Sequence, residues 1–259
     1  MTSLYATGAN GLRVQQARLD AVANNVANLG TTGFKAARVD MVDMPPQPLE
    51  VARAGGAADP VTEIGEGVTI GGISRVFEPG TPRPTGNPLD VAILGPNTFF
   101  VVTTPDGQTL YTRDGQFRPD STGQLVTPAG DRLSPPITLP PGASVTEVTP
   151  EGRILATLPG EVNPVEVGRI TLARFANPQG LAAAGQNRFA ATVASGPPQV
   201  GTPGADGFPA LQSGALEAST VDLAEQMTTL IEAQRAYTVN ARALQTLDEM
   251  VGLAIQVRS

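Results

Sequence analysis

Residues 216–257 read LEASTVDLAEQMTTLIEAQRAYTVNARALQTLDEMVGLAIQV and contain no proline. Apolar side chains recur there every seven residues with a second row beside them, which predicts one long amphipathic helix. The main row is Leu216, Leu223, Leu230, Tyr237, Leu244 and Val251, and the flanking row is Met227, Ala241 and Ile255. Ser219 and Asp222 have the spacing of a capping box, so we expect the helix to begin near Thr220. A helix that continues to about residue 257 is about 55 Å long.

The other end of the chain carries a similar pattern. Tyr5, Leu12, Leu19 and Val26 are spaced by seven residues, and Val22 and Leu29 form a second row. This spacing predicts a helix from about residue 4 to 29, about 40 Å long. The cluster Asn24, Asn25 and Asn28 precedes Gly30, which we expect to end the helix in the left-handed conformation.

Proline separates these ends from the middle of the chain. All 24 prolines lie between Pro45 and Pro209, and proline disrupts helix interiors. β-rich runs alternate there with the turn pairs Asp106-Gly107, Asp114-Gly115, Thr122-Gly123 and Glu151-Gly152. This pattern predicts antiparallel sheets. The candidate strands are 68–70, 89–93, 99–102, 154–158 and 165–175, and residues 45–60 are predicted to be a flexible or extended linker.

The sequence therefore predicts an α+β protein. Its N- and C-terminal helices pair as a coiled coil, and its central domain is β-rich and antiparallel. We expect a terminal helical domain of residues 1–38 with 217–259, a connecting region of 39–86 with 195–216, and a β-rich domain of 87–194.

The apolar surface of the two helices exceeds what one pair can bury. Tyr5, Leu29, Leu230, Ile231 and Leu253 cannot all face a single seam. Neighbouring copies would cover the remainder, and head-to-tail contacts that do not close produce a helical filament. The pattern alone leaves an alternative open, an ordinary α+β protein whose helices pack on its own sheet.

Composition argues against several functions. The chain has no Cys and no His, which excludes disulfides, thiolate metal sites and the commonest general base. Its net charge of −7 argues against nucleic-acid binding. No apolar run approaches the ~20 residues of a membrane span. We therefore predict no catalytic residue, cofactor, metal, nucleic acid or membrane insertion, and interpret Asp90 and Asp114-Gly115 as structural rather than as a carboxylate pair.

Three separated motifs resemble those of bacterial flagellar rod and hook proteins. The first is residues 23–28 (ANNVAN) followed by 31–35 (TTGFK), and the second is 85–93 (TGNPLDVAI) with 111–115 (YTRDG). The third is 216–223 (LEASTVDL) with 234–237 (QRAY) and Asn240. The middle of the chain, including 168–175, is most similar to distal rod members of that family. A proximal rod or hook-type axial subunit is the nearest alternative.

The resemblance implies a structural subunit that is exported to the basal body, polymerises into a hollow axial tube and transmits torque from motor to hook. Its implied partners are copies of itself, other rod and hook subunits, and the surrounding basal-body ring proteins. Two alternatives come from other classes. One is a wall-polysaccharide hydrolase that uses Asp/Glu pairs, which nothing in the residue spacing supports, and the other is a β-rich adhesion, cap or wall-binding module that does not polymerise.

Expectations for single residues follow from the seven-residue spacing and from the family motifs. Leu12, Leu19, Val22 and Val26 are predicted to pack against Leu223, Leu230, Tyr237 and Leu244, within one subunit or between subunits. Asn24, Asn25, Asn28, Thr32 and Gly33 are predicted to shape the turn or to contact neighbours. Phe34 is expected to anchor the linker, and Lys35 to face solvent. Gln234 and Arg235 lie on the C-terminal helix, where Arg235 is expected to pair with Glu232 or Asp222.

Overall fold

The structure, a computed structural model, describes residues 2–45, 47–48, 63–160 and 163–258. A helix lies at each end of the chain and strands lie between them, which confirms the predicted α+β class. The chain divides into two compact units. The terminal unit comprises Met1–Val26, Ala37–Ser74 and Asp222–Ser259, and the β unit comprises Ala27–Ala36 and Arg75–Val221.

The helices are α1 (Thr2–Ala27) and α2 (Leu223–Arg258). The predicted capping box is wrong, because Asp222 is the capping residue. Its side chain accepts hydrogen bonds from the backbone N–H groups of Ala224 at 2.8 Å and Glu225 at 3.2 Å. Before Asp222 the backbone pairs with other segments instead, since the N–H of Thr220 donates to the carbonyl of Phe34. Of the described residues, neither helix has a stretch long and apolar enough to cross a bilayer.

The end of α1 also differs from the prediction. Gly30 does not take the left-handed conformation, whereas Gly33 does, with a φ of +65°. The segment after α1 turns at Asn28, whose carbonyl and side chain accept hydrogen bonds from Thr31. The left-handed residue therefore lies three positions later than Gly30.

Twenty short strands lie among the described residues between the helices. The terminal unit holds β1 (Ala37–Asp43), β2 (Gln47–Pro48), β3 (Glu63–Ile64) and most of β4 (Val68–Arg75). The β unit holds β5 (Pro82–Pro84), β6 (Val91–Ile93), β7 (Thr98–Thr103), β8 (Thr109–Thr112), β9 (Arg118–Pro119), β10 (Leu125–Val126), β11 (Arg132–Leu133), β12 (Ser144–Val148), β13 (Arg153–Thr157), β14 (Val165–Arg169), β15 (Leu172–Arg174), β16 (Ala182–Gly185), β17 (Arg188–Ala190), β18 (Gln199–Gly201), β19 (Leu211–Ser213) and β20 (Ala215–Glu217).

The largest sheet has nine strands. Seven follow the order β16-β17-β8-β7-β11-β10-β9, and β15 joins β7 and also pairs with β18. A second sheet has the order β12-β13-β14, and β1-β4, β2-β3, β5-β20 and β6-β19 form two-stranded pairs. Each pair whose register the structure describes is antiparallel, as predicted.

Strand β7 separates two apolar cores of the β unit. Successive side chains of a strand point to opposite faces. Phe99 and Val101 pack in one core with Tyr111 and Phe175, while Phe100 packs in the other, where its ring centroid lies 5.1 Å from that of Phe117. Both faces are covered, which explains why the strand is a continuous apolar run rather than an alternating one.

The middle of the chain contains the predicted linker and the predicted Asp114-Gly115 turn. Of the predicted linker 45–60, only residues 45, 47 and 48 lie within the described part of the chain. Asp114-Gly115 is not the predicted hairpin turn, because it follows β8 in an irregular segment. There the carbonyl of Gly115 accepts a hydrogen bond from the N–H of Val91, so the glycine lies against another segment's backbone.

Candidate assembly surface

Helices α1 and α2 contact each other along their length within the terminal unit. Tyr5 donates a 2.8 Å hydrogen bond to Asp248, Arg18 lies 3.8 Å from Glu232, and Asn25 donates to Gln226 at 2.9 Å. Because the partners follow in opposite order along the two helices, α1 and α2 lie antiparallel.

Small residues allow the two helices to approach closely. A Cβ atom added at Gly8 would lie 2.5 Å from Cδ2 of Leu244, and one at Gly11 would lie 2.9 Å from Nδ2 of Asn240. Ala233 is completely buried. Sequence reasoning missed these positions, because a search for large apolar residues passes over Gly and Ala. The signal was present, since Gly8 and Gly11 are three residues apart in an otherwise regular helix.

We expect Gly8→Val to destabilise the terminal unit by about 1 to 3 kcal/mol, the usual cost of overpacking. The measurement is chemical denaturation followed by far-UV circular dichroism. Gly252→Val is the matched control on α2, because nothing lies within 4 Å of an added Cβ there. Adding Leu244→Ala to Gly8→Val should recover part of the loss. No recovery would argue against this contact.

A second side of α1 contacts the strands and loops of the terminal unit. Thr7 donates to the carbonyl of Glu66, and Asn10 donates to Sδ of Met44. Asn25 is 1% exposed and forms two hydrogen bonds with the backbone of Ala37, one as donor and one as acceptor, both 2.8 Å. Asn25 therefore has an intramolecular role, and Asn28 supplies turn chemistry. Asn24 is exposed at the end of the same helix.

The structure disperses the predicted seven-residue row around α2. A straight helix drifts by about 20° per seven residues, so the row from Leu223 to Val251 rotates by about 80°. Its start is exposed, with Leu223 at 45% and Tyr237 at 38%, whereas Leu244 and Val251 are half-buried. On α1 the predicted Val22 is buried, and so is Val14, which was not predicted.

The remaining predicted positions are partly or fully accessible. Leu12, Leu19, Val26 and Leu230 are half-buried, and Leu29, Met227, Gln234 and Arg235 are exposed. Arg235 was expected to pair with Glu232 or Asp222, and the structure places Glu232 near Arg18. A continuous part of the predicted apolar surface thus remains accessible to solvent on α2.

The motif residues after α1 belong to a different site, in the β unit. Thr32 donates to Asp114 at 2.9 Å, and Gly33 donates to the carbonyl of Glu217 at 2.8 Å. Phe34 is buried under the guanidinium of Arg75, 5.7 Å from its ring centroid. The prediction that Lys35 faces solvent is wrong, because Lys35 is only 1% exposed.

Lys35 belongs to a buried charge cluster with Glu217 and Arg113. Its ammonium lies 2.6 Å from Oε1 of Glu217, and Nε of Arg113 lies 2.7 Å from Oε2. Oε1 also accepts a hydrogen bond from the N–H of Gly80, and Nη1 of Arg113 donates to two backbone carbonyls. One carboxylate thus neutralises two cations that have almost no contact with water.

Burial and charge act in opposite directions on this cluster. Burial by itself raises the pKa of Glu217, but the charges and hydrogen bonds of Arg113 and Lys35 outweigh it and hold that pKa below its ordinary value. Burial lowers the pKa of Lys35, and the Glu217 carboxylate offsets this only in part. The Glu217 carboxylate therefore stays ionised and paired with both cations.

Among the described residues, no group of three or more carboxylates could hold a metal.

The cluster unites the three sequence motifs in space. Lys35 comes from the N-terminal motif, Arg113 from the middle motif and Glu217 from the C-terminal motif. Sequence reasoning quoted all three segments but did not connect these charges, because they are separated by 78 and 104 positions. One signal was available, since Lys35 is the single lysine of the chain.

A chain with paired terminal helices, a β-rich middle and sequence motifs that meet in a buried charge cluster has the features of a class of structural subunits. Comparison with known proteins identifies its family. Residues 6–35 match the family described as flagella basal body rod protein, residues 92–156 the flagellar hook protein FlgE/F/G D1 domain, and residues 212–257 the flagellar basal body rod FlgEFG protein C-terminal region.

Full-length relatives agree with these matches. The flagellar basal-body rod protein FlgG of Caulobacter vibrioides is 39% identical, over 98% of both chains. The FlgG protein of Borreliella burgdorferi is 40% identical over 96% of both chains. The FlgG protein of Bacillus subtilis is 36% identical over 97% of both chains. This chain belongs to the family of flagellar basal-body rod proteins.

Family membership confirms four predictions. The chain is a structural subunit of the distal part of the basal-body rod, and it is not an enzyme. It is located in the flagellar basal body of the cell envelope and assembles with other rod and hook subunits.

Proposed function

We propose that copies of this chain polymerise head-to-tail into a hollow helical tube that transmits torque from motor to hook. The observation that carries the proposal is the apolar surface left exposed on α2. Leu223, Met227, Ile231 and Tyr237 are 38 to 50% exposed within one copy. Exposed apolar patches of this kind mark interaction sites.

This row lies beside the side of α2 that contacts α1. At 100° per residue, Leu223 and Met227 lie about 60 to 120° around α2 from the buried Gln226 and Ala233. One face of α2 is thus satisfied within the subunit, and a neighbouring face is available to another copy. Such a two-sided helix supports a layer of terminal helices packed as coiled coils between subunits.

The ribbon of β1 and β4 supplies a second accessible surface. Met41, Val42, Ile70 and Ile73 are 40 to 65% exposed there. A two-stranded ribbon is marginally stable alone and gains from packing on another surface. Two different accessible surfaces on one subunit favour a heterologous contact, and heterologous contacts that do not close form filaments.

The domain limits and partners form part of the same proposal. The helical domain of residues 1–38 with 217–259 would form the inner layer, and the β-rich residues 87–194 the outer one, joined by 39–86 and 195–216. Basal-body ring proteins would surround the outer layer.

A single charge on the exposed row tests the proposal. We expect Met227→Asp to keep the free energy of unfolding of the monomer within about 0.5 kcal/mol of the native value, because the side chain is partly exposed. The same variant should form no tubes visible by electron microscopy. Thr228→Asp, which adds the same charge at an exposed position on another side of α2, should still assemble. Normal tubes and normal motility with Met227→Asp would refute the proposed role of this row.

A further inference from the structure

Val193 stands apart from every other large apolar residue in the described part of the chain. Its relative exposure is 102%, whereas the next most exposed, Ile73, reaches 65%. It therefore contacts essentially nothing in its own subunit.

The turn that carries Val193 is held rigidly. Oγ1 of Thr192 accepts hydrogen bonds from the N–H groups of Ala194 and Ser195, and Oγ of Ser195 accepts one from the N–H of Thr192. Oγ1 of Thr192 also donates to the carbonyl of Gly180, and the side chain of Asn177 donates to that of Ala194. A fixed turn loses little conformational entropy on binding, which favours its use as an anchor.

A cavity of about 320 Å³ lies elsewhere on the same β unit. Its walls come from the turn at Glu151, from Arg153 and Arg169 on β13 and β14, and from residues 202–205. Pro203 is buried and supports the turn, since a Cβ atom on Gly152 would lie 2.9 Å from its ring. The cavity is thus bounded by several mutually supported segments.

The chemistry of the cavity favours an uncharged apolar occupant. Arg153 lies 3.7 Å from Glu151, and Arg169 lies 3.4 Å from Glu166, so each charge has a partner at the rim. The N–H groups of Gly204 and Ala205 are already bonded to backbone carbonyls. The methylene stems of the two arginines and the ring of Pro203 remain to contact an apolar group.

We propose that Val193 of one copy inserts into this cavity of the next copy in the rod. The chain from 189 to 205 carries no charged residue, so the turn can enter without disturbing the rim pairs. An anchor and a cavity at different places on one subunit form a heterologous contact, which suits an open polymer. The contact rests on the proposed self-assembly and names one of its interfaces.

Two variants change the anchor without changing the fold. Val193→Asp should raise the critical concentration for tube formation by about tenfold or more, because burying a valine side chain contributes roughly 1.5 kcal/mol or more. Its thermal unfolding should match that of the native protein, since the side chain has no intramolecular contact to lose. Gln108→Asp adds the same charge at another exposed turn of the β unit and should assemble normally.

Cysteine cross-linking tests the pairing directly, because the native chain has no cysteine. A mixture of Val193→Cys and Ala205→Cys proteins should form a mixed disulfide under assembly conditions. A mixture of Val193→Cys and Ala184→Cys, which places the second thiol on the exposed strand β16 outside the cavity, should not.

The outcomes separate this inference from the proposed function. Tubes without a cross-link above the control level would overturn the contact and leave self-assembly standing. A specific cross-link in small oligomers, with no tubes from the native protein under any condition, would support the contact and count against the polymer. Unchanged assembly of Val193→Asp would also overturn the contact.

Discussion

Replacing Glu217 with glutamine is expected to destabilise the β unit by about 3 to 5 kcal/mol, the cost of leaving a buried charge unpaired. Glutamine keeps the shape and most of the hydrogen-bonding capacity but removes the negative charge. Lys35 and Arg113 would then remain as two buried cations with no neutralising partner. Because folded domains are stable by only about 5 to 15 kcal/mol, the variant should be partly unfolded in mild denaturant.

Two comparisons isolate the effect of burial. Glu232→Gln removes an exposed partner of Arg18 and should change stability by less than about 1 kcal/mol. The double variant Glu217→Gln with Lys35→Met should be more stable than Glu217→Gln alone, because one unpaired cation is gone. Urea unfolding of the four proteins provides the measurement. A loss below 1 kcal/mol for Glu217→Gln would contradict the neutralisation of Lys35 and Arg113 by the Glu217 carboxylate.

The effect of Glu217→Gln on stability should depend on pH in the acidic range. The folded-state pKa of Glu217 lies below its ordinary value of 4.5, so its contribution is complete above pH 4.5 and is lost as the pH falls through the folded-state pKa. Protonated glutamate resembles glutamine. The stability difference between native protein and Glu217→Gln should therefore shrink as the pH falls from 7 to 3, and a constant difference would contradict this account.

Gly115→Ala should be the most damaging change that adds a single methyl group. The new Cβ atom would lie 1.7 Å from the carbonyl oxygen of Val91, a backbone atom in strand β6, and 3.1 Å from the ring of Phe100. Val91 and Phe100 are both buried in one core. Neither the strand nor the ring can move away freely, so we expect a loss of about 3 kcal/mol.

Gly30→Ala is the matched control for this glycine. An added Cβ at Gly30 meets nothing within 4 Å, and Gly30 does not have a positive φ. We expect this variant to be neutral or more stable by up to about 1 kcal/mol, through reduced entropy of the unfolded chain. Thermal unfolding followed by circular dichroism would distinguish the two. Equal effects of both variants would contradict the contact at Gly115.

Much of the fold could be predicted from local sequence patterns. The absence of proline before Pro45 and after Pro209 allowed the helices, and the predicted helix ends near 29 and 257 lie within two residues of Ala27 and Arg258. Strands such as β7 and β13 followed from apolar runs between turn pairs. These features depend on residues close together in the sequence, and that is why they could be predicted.

The site could be predicted less fully from the sequence, because its contacts join residues that are far apart along the chain. The heptad row predicted which helices have apolar surface, but the small residues Gly8, Gly11 and Ala233 decide which sides of α1 and α2 approach each other. The start of α2 was misplaced because residues before Asp222 form hydrogen bonds with segments far earlier in the chain.

The sequence by itself determined the two helical ends, the antiparallel middle and the family motifs, because spacing and proline placement act locally. Only the tertiary structure decided that Lys35 is buried, that Gly33 rather than Gly30 takes the left-handed conformation, and that Glu217 neutralises both Lys35 and Arg113. The physical reason is that a charge can be buried only where its partners converge, and the two cations that pair with Glu217, Arg113 and Lys35, lie 104 and 182 positions away from it along the chain.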